Sequence, residues 1–217
     1  MPSSAKLSRL SIALGMTMLL HFPLYANDTV ENYKYSLRDG IDICFNKVKE
    51  KLGDKAKVST IRASFASGGE IDPRKVGRPQ GMMTNCMVSY QNPEDPRKLL
   101  NMRMDSKTGE FNKPRLVEIK VMGDPSRFDI NDYLISLDRV DLSPLPAFMA
   151  SQEKKLSEYY SKFAWTGVSL SAPGTFSKVH HLRVDVEGRL AVNDIKDSGY
   201  AGLSIDSKVI NNNRLTK

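Results

Sequence analysis

The sequence predicts an α+β protein of two units, each a helix packed on an antiparallel sheet. Three observations point there. Apolar residues recur at three- and four-residue steps after Ser36 and again after Ser143, each such stretch precedes segments of alternating apolar and polar residues, and Gly, Asp and Pro stand between those segments at turn positions. A helix with one apolar stripe must bury it against one face of a sheet, which defines the layout. The same pattern also fits a single domain with one continuous sheet and both helices on the same face.

The chain of 217 residues opens with Lys6 and Arg9, an apolar run from about Leu10 to Leu20, then Pro23 and Leu24-Tyr25-Ala26. A basic stretch, a short apolar stretch and a small residue before the cut describe a secretory signal peptide, residues 1–26. The run is well short of the ~20 apolar residues that a span requires. Cysteine is missing near the cut, which argues against a lipid anchor there, and no later stretch reads as a membrane-crossing helix. The expected location is therefore the periplasm or the exterior. Loss of Lys6 and Arg9 with the leader lowers the formal charge from +7 to +5. With both signs interleaved and no polybasic block, nucleic acid is not an expected partner.

The first unit is expected over residues 27–122. Ser36 caps a helix whose stripe is Leu37, Ile41, Cys44, Phe45, Val48 and Leu52, and Gly53 stops it. Strands follow over 58–66 and 83–90. The most ordered text is Leu99 to Val121, where Leu100, Met102 and Met104 alternate with polar residues, Asp105 to Gly109 form a turn, and Val117, Ile119 and Val121 alternate on the return. Cys44 and Cys86, the only cysteines, face one another from helix and strand in this reading. In an exported chain such a pair is most simply a disulfide, two buried thiols being the other arrangement.

Residues 123–142 read as a polar connector and 143–217 as the second unit. Ser143-Pro144 starts a helix through Leu145, Met149, Leu156 and Phe163; strands follow over 163–170 and 179–186, with Gly188 at a tight turn, a return over 189–195, and a last strand over 202–210. The two units thus share an order of elements.

Met104-Asp-Ser-Lys-Thr-Gly-Glu-Phe111 resembles the closing hairpin of PepSY-type modules, small exported α+β units whose last hairpin reads as an alternating strand, Asp, a polar turn with Thr-Gly-Glu and a return strand. The resemblance covers the first half; in the second, Val184-Asp-Val-Glu-Gly-Arg-Leu190 stands in its place and departs from the pattern. It implies a protein-binding or inhibitory module of the periplasm, with no cofactor and no catalytic residues to carry over.

Site candidates are few. The loop 67–79 joins Gly68-Gly69, two prolines and charges of both signs, and offers Arg74, Lys75 and Arg78 to an acidic partner. Asp72-Pro-Arg-Lys75 returns as Asp95-Pro-Arg-Lys98, which ordinary Asp-Pro turn chemistry explains. Tyr159, Tyr160, Phe163 and Trp165 gather after the second helix; most should be core, with Tyr160 and Trp165 as candidate anchors of an interface. His180 and His181, adjacent in a strand, should point to opposite faces, so no shared metal is expected. No nucleophile elbow, HExxH or phosphate-binding loop appears. These readings favour a non-catalytic exported protein-binding module, such as an inhibitor or immunity protein against a secreted toxin. The competing class is a small hydrolase using a histidine and acids near Asp185, Glu187 and Asp194. The export reading predicts that protein from a periplasmic fraction starts at or near Asn27, which intact-mass measurement checks; retained residues 1–26 would overturn it.

Overall fold

The computed structural model describes residues 32–121, 123–174 and 178–216; the expected leader lies outside them. Each of the two helices is followed by a four-stranded meander. Helix α1 (Ile43–Leu52) leads into β1 (Lys57–Phe65), β2 (Met83–Gln91), β3 (Leu99–Met104) and β4 (Arg115–Val117). After the short β5 (Ile135–Ser136), helix α2 (Leu145–Tyr159) leads into β6 (Tyr160–Ser171), β7 (His181–Leu190), β8 (Lys196–Leu203) and β9 (Ile210–Arg214).

The nine strands among the described residues belong to one antiparallel sheet in the order β4-β3-β2-β1-β6-β7-β8-β9, with β5 added on β1. The first strands of the two meanders pair antiparallel at the centre, Ile61 with Leu170 and Ala63 with Val168. Two equivalent strands paired this way are related by a local two-fold normal to the sheet, which preserves the face. Both helices therefore lie on the same side, and their apolar residues join one core.

The register makes that core explicit, because residues directly opposite across a ladder share a face. Met102, Val88, Ile61, Leu170, Leu182 and Leu203 form one buried row, and Met104, Cys86, Ala63, Val168, Val184 and Ala201 form the next. Cys86 lies beneath α1 and is bonded to Cys44, as expected. Closing this loop restricts the unfolded chain, a stabilisation of about 4 kcal/mol in the chain-entropy account.

The structure corrects several sequence expectations. Ser36 and Asp39 do form a capping box, but over a separate 3-10 turn, Leu37–Asp39. Gly40, at φ +107, turns the chain there and delays α1 to Ile43. Helix α2 stops at Tyr159 and passes into β6 with no intervening loop, so Phe163 lies in a strand. In the central hairpin Gly109 takes the expected positive φ, and Asp105 accepts hydrogen bonds from the backbone of Lys107 and Thr108. The return pairs Phe111 with Met104, then is interrupted at Lys113-Pro114, where proline brings no N–H, and resumes as β4, earlier than expected. Residues 123–142 are fastened: β5 pairs with β1, and Ile130, Leu137, Val140 and Leu142 are buried.

The largest correction falls on Gly188, which is no turn but lies within β7, the reversal coming later around Asp194 at φ +58. A Cβ at Gly188 would come within 2.5 Å of the Tyr160 ring and 2.8 Å of the Lys162 carbonyl. The glycine is a seat for that ring. Replacing it, Gly188→Ala, should therefore destabilise the fold by about 1–3 kcal/mol through overpacking, seen as a lower urea midpoint with unchanged m.

Candidate functional site

With both helices on one side, the other face of the sheet is polar and is not covered by a helix among the described residues, an arrangement open to antiparallel sheets. Side chains alternate across each strand, so the positions between the core rows point here. Arg62 and Ser64 come from β1, Gly167 and Ser169 from β6, His181, Arg183 and Asp185 from β7, and Tyr200 and Gly202 from β8. Together they line a trough of about 1110 Å³. Arg183 is held in it twice, with its Nε 2.7 Å from Asp185 and its guanidinium 4.1 Å from the Tyr200 ring centroid.

One end of the trough is bounded by the loop 67–79. Backbone hydrogen bonds from Ala66 to Met82 and from Gly81 back to Ala66 close its base, and Ile71 is buried beneath it. Charged groups then fasten it to the sheet. Lys196 of β8 lies 2.8 Å from Asp72 and 3.1 Å from Glu187 of β7, and Lys75 lies 3.2 Å from Glu187 while also donating to the Ser67 hydroxyl. Asp72 is only 3% exposed. Hydrogen bonds from Arg74 and then Lys196 hold its carboxyl far below the ordinary carboxylate range. Burial pushes Glu187 up, but the Ser67 hydroxyl and the two lysines outweigh it and the net shift is downward. Burial likewise pushes Lys196 down, and its two carboxylate partners raise it overall.

The structure separates the candidate residues. Lys75 is spent in the network, Arg74 is largely exposed but chelates Asp72 through Nε and Nη2, and Arg78 is exposed. Tyr160 and Trp165 are not exposed anchors. Both are buried on the core side, Tyr160 donating its hydroxyl to the Leu215 carbonyl, with burial pushing its phenol up to about 12. The repeated Asp-Pro-Arg-Lys is one turn used twice, since Asp95 accepts from the Arg97 backbone and side chain just as Asp72 does from Arg74. His181 lines the trough, whereas His180 sits half-buried beside Tyr133 with its Nε2 unpartnered; burial lowers its pKa, partly opposed by a hydrogen bond with the Tyr133 backbone. Among the described residues no group of three or more His, Cys, Asp and Glu converges as a metal site.

Sequence reasoning passed over Arg62, Arg103, Arg183 and Tyr200. Their alternation marked them as polar-face residues, but only the register of strands far apart in the chain brings them together.

No family model and no curated protein sequence matches the chain. Among solved structures it is similar to a Clostridium difficile 630 protein proposed to be a lipoprotein, at 12% identity and a TM-score of 0.38, over 84% of this chain and 95% of that one. That likeness is too slight to carry a function across.

The loop network has a measurable pH signature. Asp72 and Glu187 are both lowered from ordinary values of 3.8 and 4.5. The unfolded chain thus binds more protons in acid, so their stabilisation is complete above those values and is lost as pH falls through and below them. In Lys196→Met, trypsin cleavage after Arg74 or Lys75 at neutral pH should rise roughly tenfold, because local opening of the loop becomes easier. Unchanged cleavage would show that the network does not hold the loop.

Proposed function

We propose that this is an exported, non-catalytic binding module that occludes another protein with its open sheet face, as an inhibitor or immunity protein against a secreted toxin would. The observation that supports it is the trough itself: a concavity on a sheet that no described helix covers, bearing an arginine stacked on a tyrosine, residue types enriched where protein interfaces draw their energy. The leader-like N-terminus and the PepSY-like hairpin point the same way. The basic loop keeps a smaller part in this reading, with Arg74 and Arg78 at the rim, where charge acts mainly on association rate.

A hydrolase is the second reading, because His181, Asp185 and Glu187 line one trough. The geometry favours it less. His181 and Asp185 stand four residues apart on β7, which places their backbones about 13 Å apart. Asp185 is engaged by Arg183, and Glu187, held below its ordinary value, is ionised where a general acid must be protonated. A photo-crosslinking amino acid at Ser169, in the trough, should give a discrete protein adduct in the periplasm, while one at Lys155 on the exposed side of α2 should not. Equal labelling at the two positions would sink the proposal, and substrate turnover abolished by His181→Ala or Asp185→Ala would replace it with the enzyme.

A further inference from the structure

We propose that a row of arginines crossing the open face is a docking track for an extended acidic segment of the partner protein; this deepens the binding-module reading and rests on it. The row is continuous in register. Arg103 of β3 is opposite Met87, Met87 opposite Arg62, Arg62 opposite Ser169, Ser169 opposite Arg183, Arg183 opposite Gly202, and Gly202 opposite Asn212. Directly opposed residues share a face, so all seven lie on the polar side. An arginine therefore stands on every second strand of β3, β2, β1, β6 and β7, and neighbouring arginines are about 10 Å apart, twice the strand spacing. Between and beyond them lie an unbranched methionine, a serine and a glycine, which leave room above the sheet. The trough that contains Arg62 and Arg183 shares Thr84 with a second hollow lined by Arg103, Asp105 and Asn112, in which the Asp105 carboxylate accepts hydrogen bonds from the backbone of its own turn.

Charge complementarity selects the occupant. All three arginines are exposed. Arg183 is paired with Asp185, but among the described residues neither Arg62 nor Arg103 has an ion-pair partner, and the other acid lining the trough, Glu187, is taken by Lys75 and Lys196. The row thus carries three arginines at a regular interval, of which Arg62 and Arg103 are not ion-paired among the described residues while Arg183 shares its charge with Asp185. A polypeptide in the polyproline II conformation has three residues per turn and rises ~3.1 Å per residue, so acidic side chains at every third position project from one edge at about 9.3 Å intervals. That interval matches the track. A β-strand would not, since its residues i and i+3 face opposite ways. Ligands that bind by stacking fit less well. Of the two phenyl-type rings lining the trough, Phe65 is buried and Tyr200 lies under Arg183, so neither offers a bare face to a base or a sugar.

The test is anisotropy of a labelled peptide of about ten residues, enough to cross the row at ~3.1 Å each, with Asp at every third position and Pro and Ser between. It should bind at low salt, weaken as salt rises, and bind roughly tenfold more weakly to Arg62→Gln/Arg103→Gln, whose melting temperature should stay within a degree or so of the parent because both side chains are exposed. Absence of binding, equal binding of a peptide with the same residues in blocks, or equal binding to the double variant would overturn the track. Preferential binding of a uronic-acid oligosaccharide or of oligothymidylate would overturn the polypeptide occupant. Crosslinking from Ser169 separates this from the broader reading: adducts without peptide binding would remove only the track, whereas peptide binding without adducts would remove the partner protein.

Discussion

Four residue pairs between β1 and β6, from Ile61 with Leu170 to Ser64 with Gly167, decide most of this molecule. Because the two first strands meet antiparallel, the second meander repeats the first about an axis normal to the sheet, and both helices are sent to the same side. One face is therefore a core, and among the described residues the other carries no helix. The same seam aligns Arg62 with Ser169 and so with Arg183, which no contact within either half could do. Gly167 sits tightly at this seam, since a Cβ there would lie 3.2 Å from the Ala63 carbonyl and 3.3 Å from Asp185.

The loop 67–79 shows how charge placement can fix a segment that has little apolar surface of its own. Isolated surface ion pairs contribute little to stability. Here Asp72 and Glu187 share Lys196, Lys75 adds a second cation to Glu187, and one side of the set is buried, so the groups restrain one another's geometry. Part of the trough wall is thereby fixed, and a fixed wall loses less conformational entropy when something docks against it.

Local chemistry was readable from sequence and long-range register was not. The stop at Gly53, the Asp105 to Gly109 turn and the helix-to-strand cysteine pair each rest on neighbouring residues or on periodicity, and the structure contains all of them, whereas Ser36 caps a separate 3-10 turn and not α1. Gly188 misled because a turn and a seat for a ring both demand glycine, and the ring belongs to Tyr160, 28 residues earlier. Tyr160 and Trp165 were ambiguous for a related reason: large amphipathic rings suit both cores and interfaces. Asp72 gave no sign that its cation would be Lys196, 124 residues away. The arginine row was the least accessible feature, since alternation assigns a face but never an opposite number on another strand.

The seam has a kinetic consequence as well. Each meander is built from neighbouring strands, whose contacts are short in sequence and quick to form, but Ala63 and Val168 are separated by about a hundred residues, the kind of contact that slows folding. Closing β1 on β6 spans the longest sequence separation of any strand pairing in the sheet and so carries the largest loop-closure entropy cost. Until it closes, each half exposes an unpaired strand edge shaped to accept its counterpart, whether from its own chain or from a neighbouring one. Exchange of halves between two chains would satisfy the same edges, and because it needs two chains it is disfavoured by dilution.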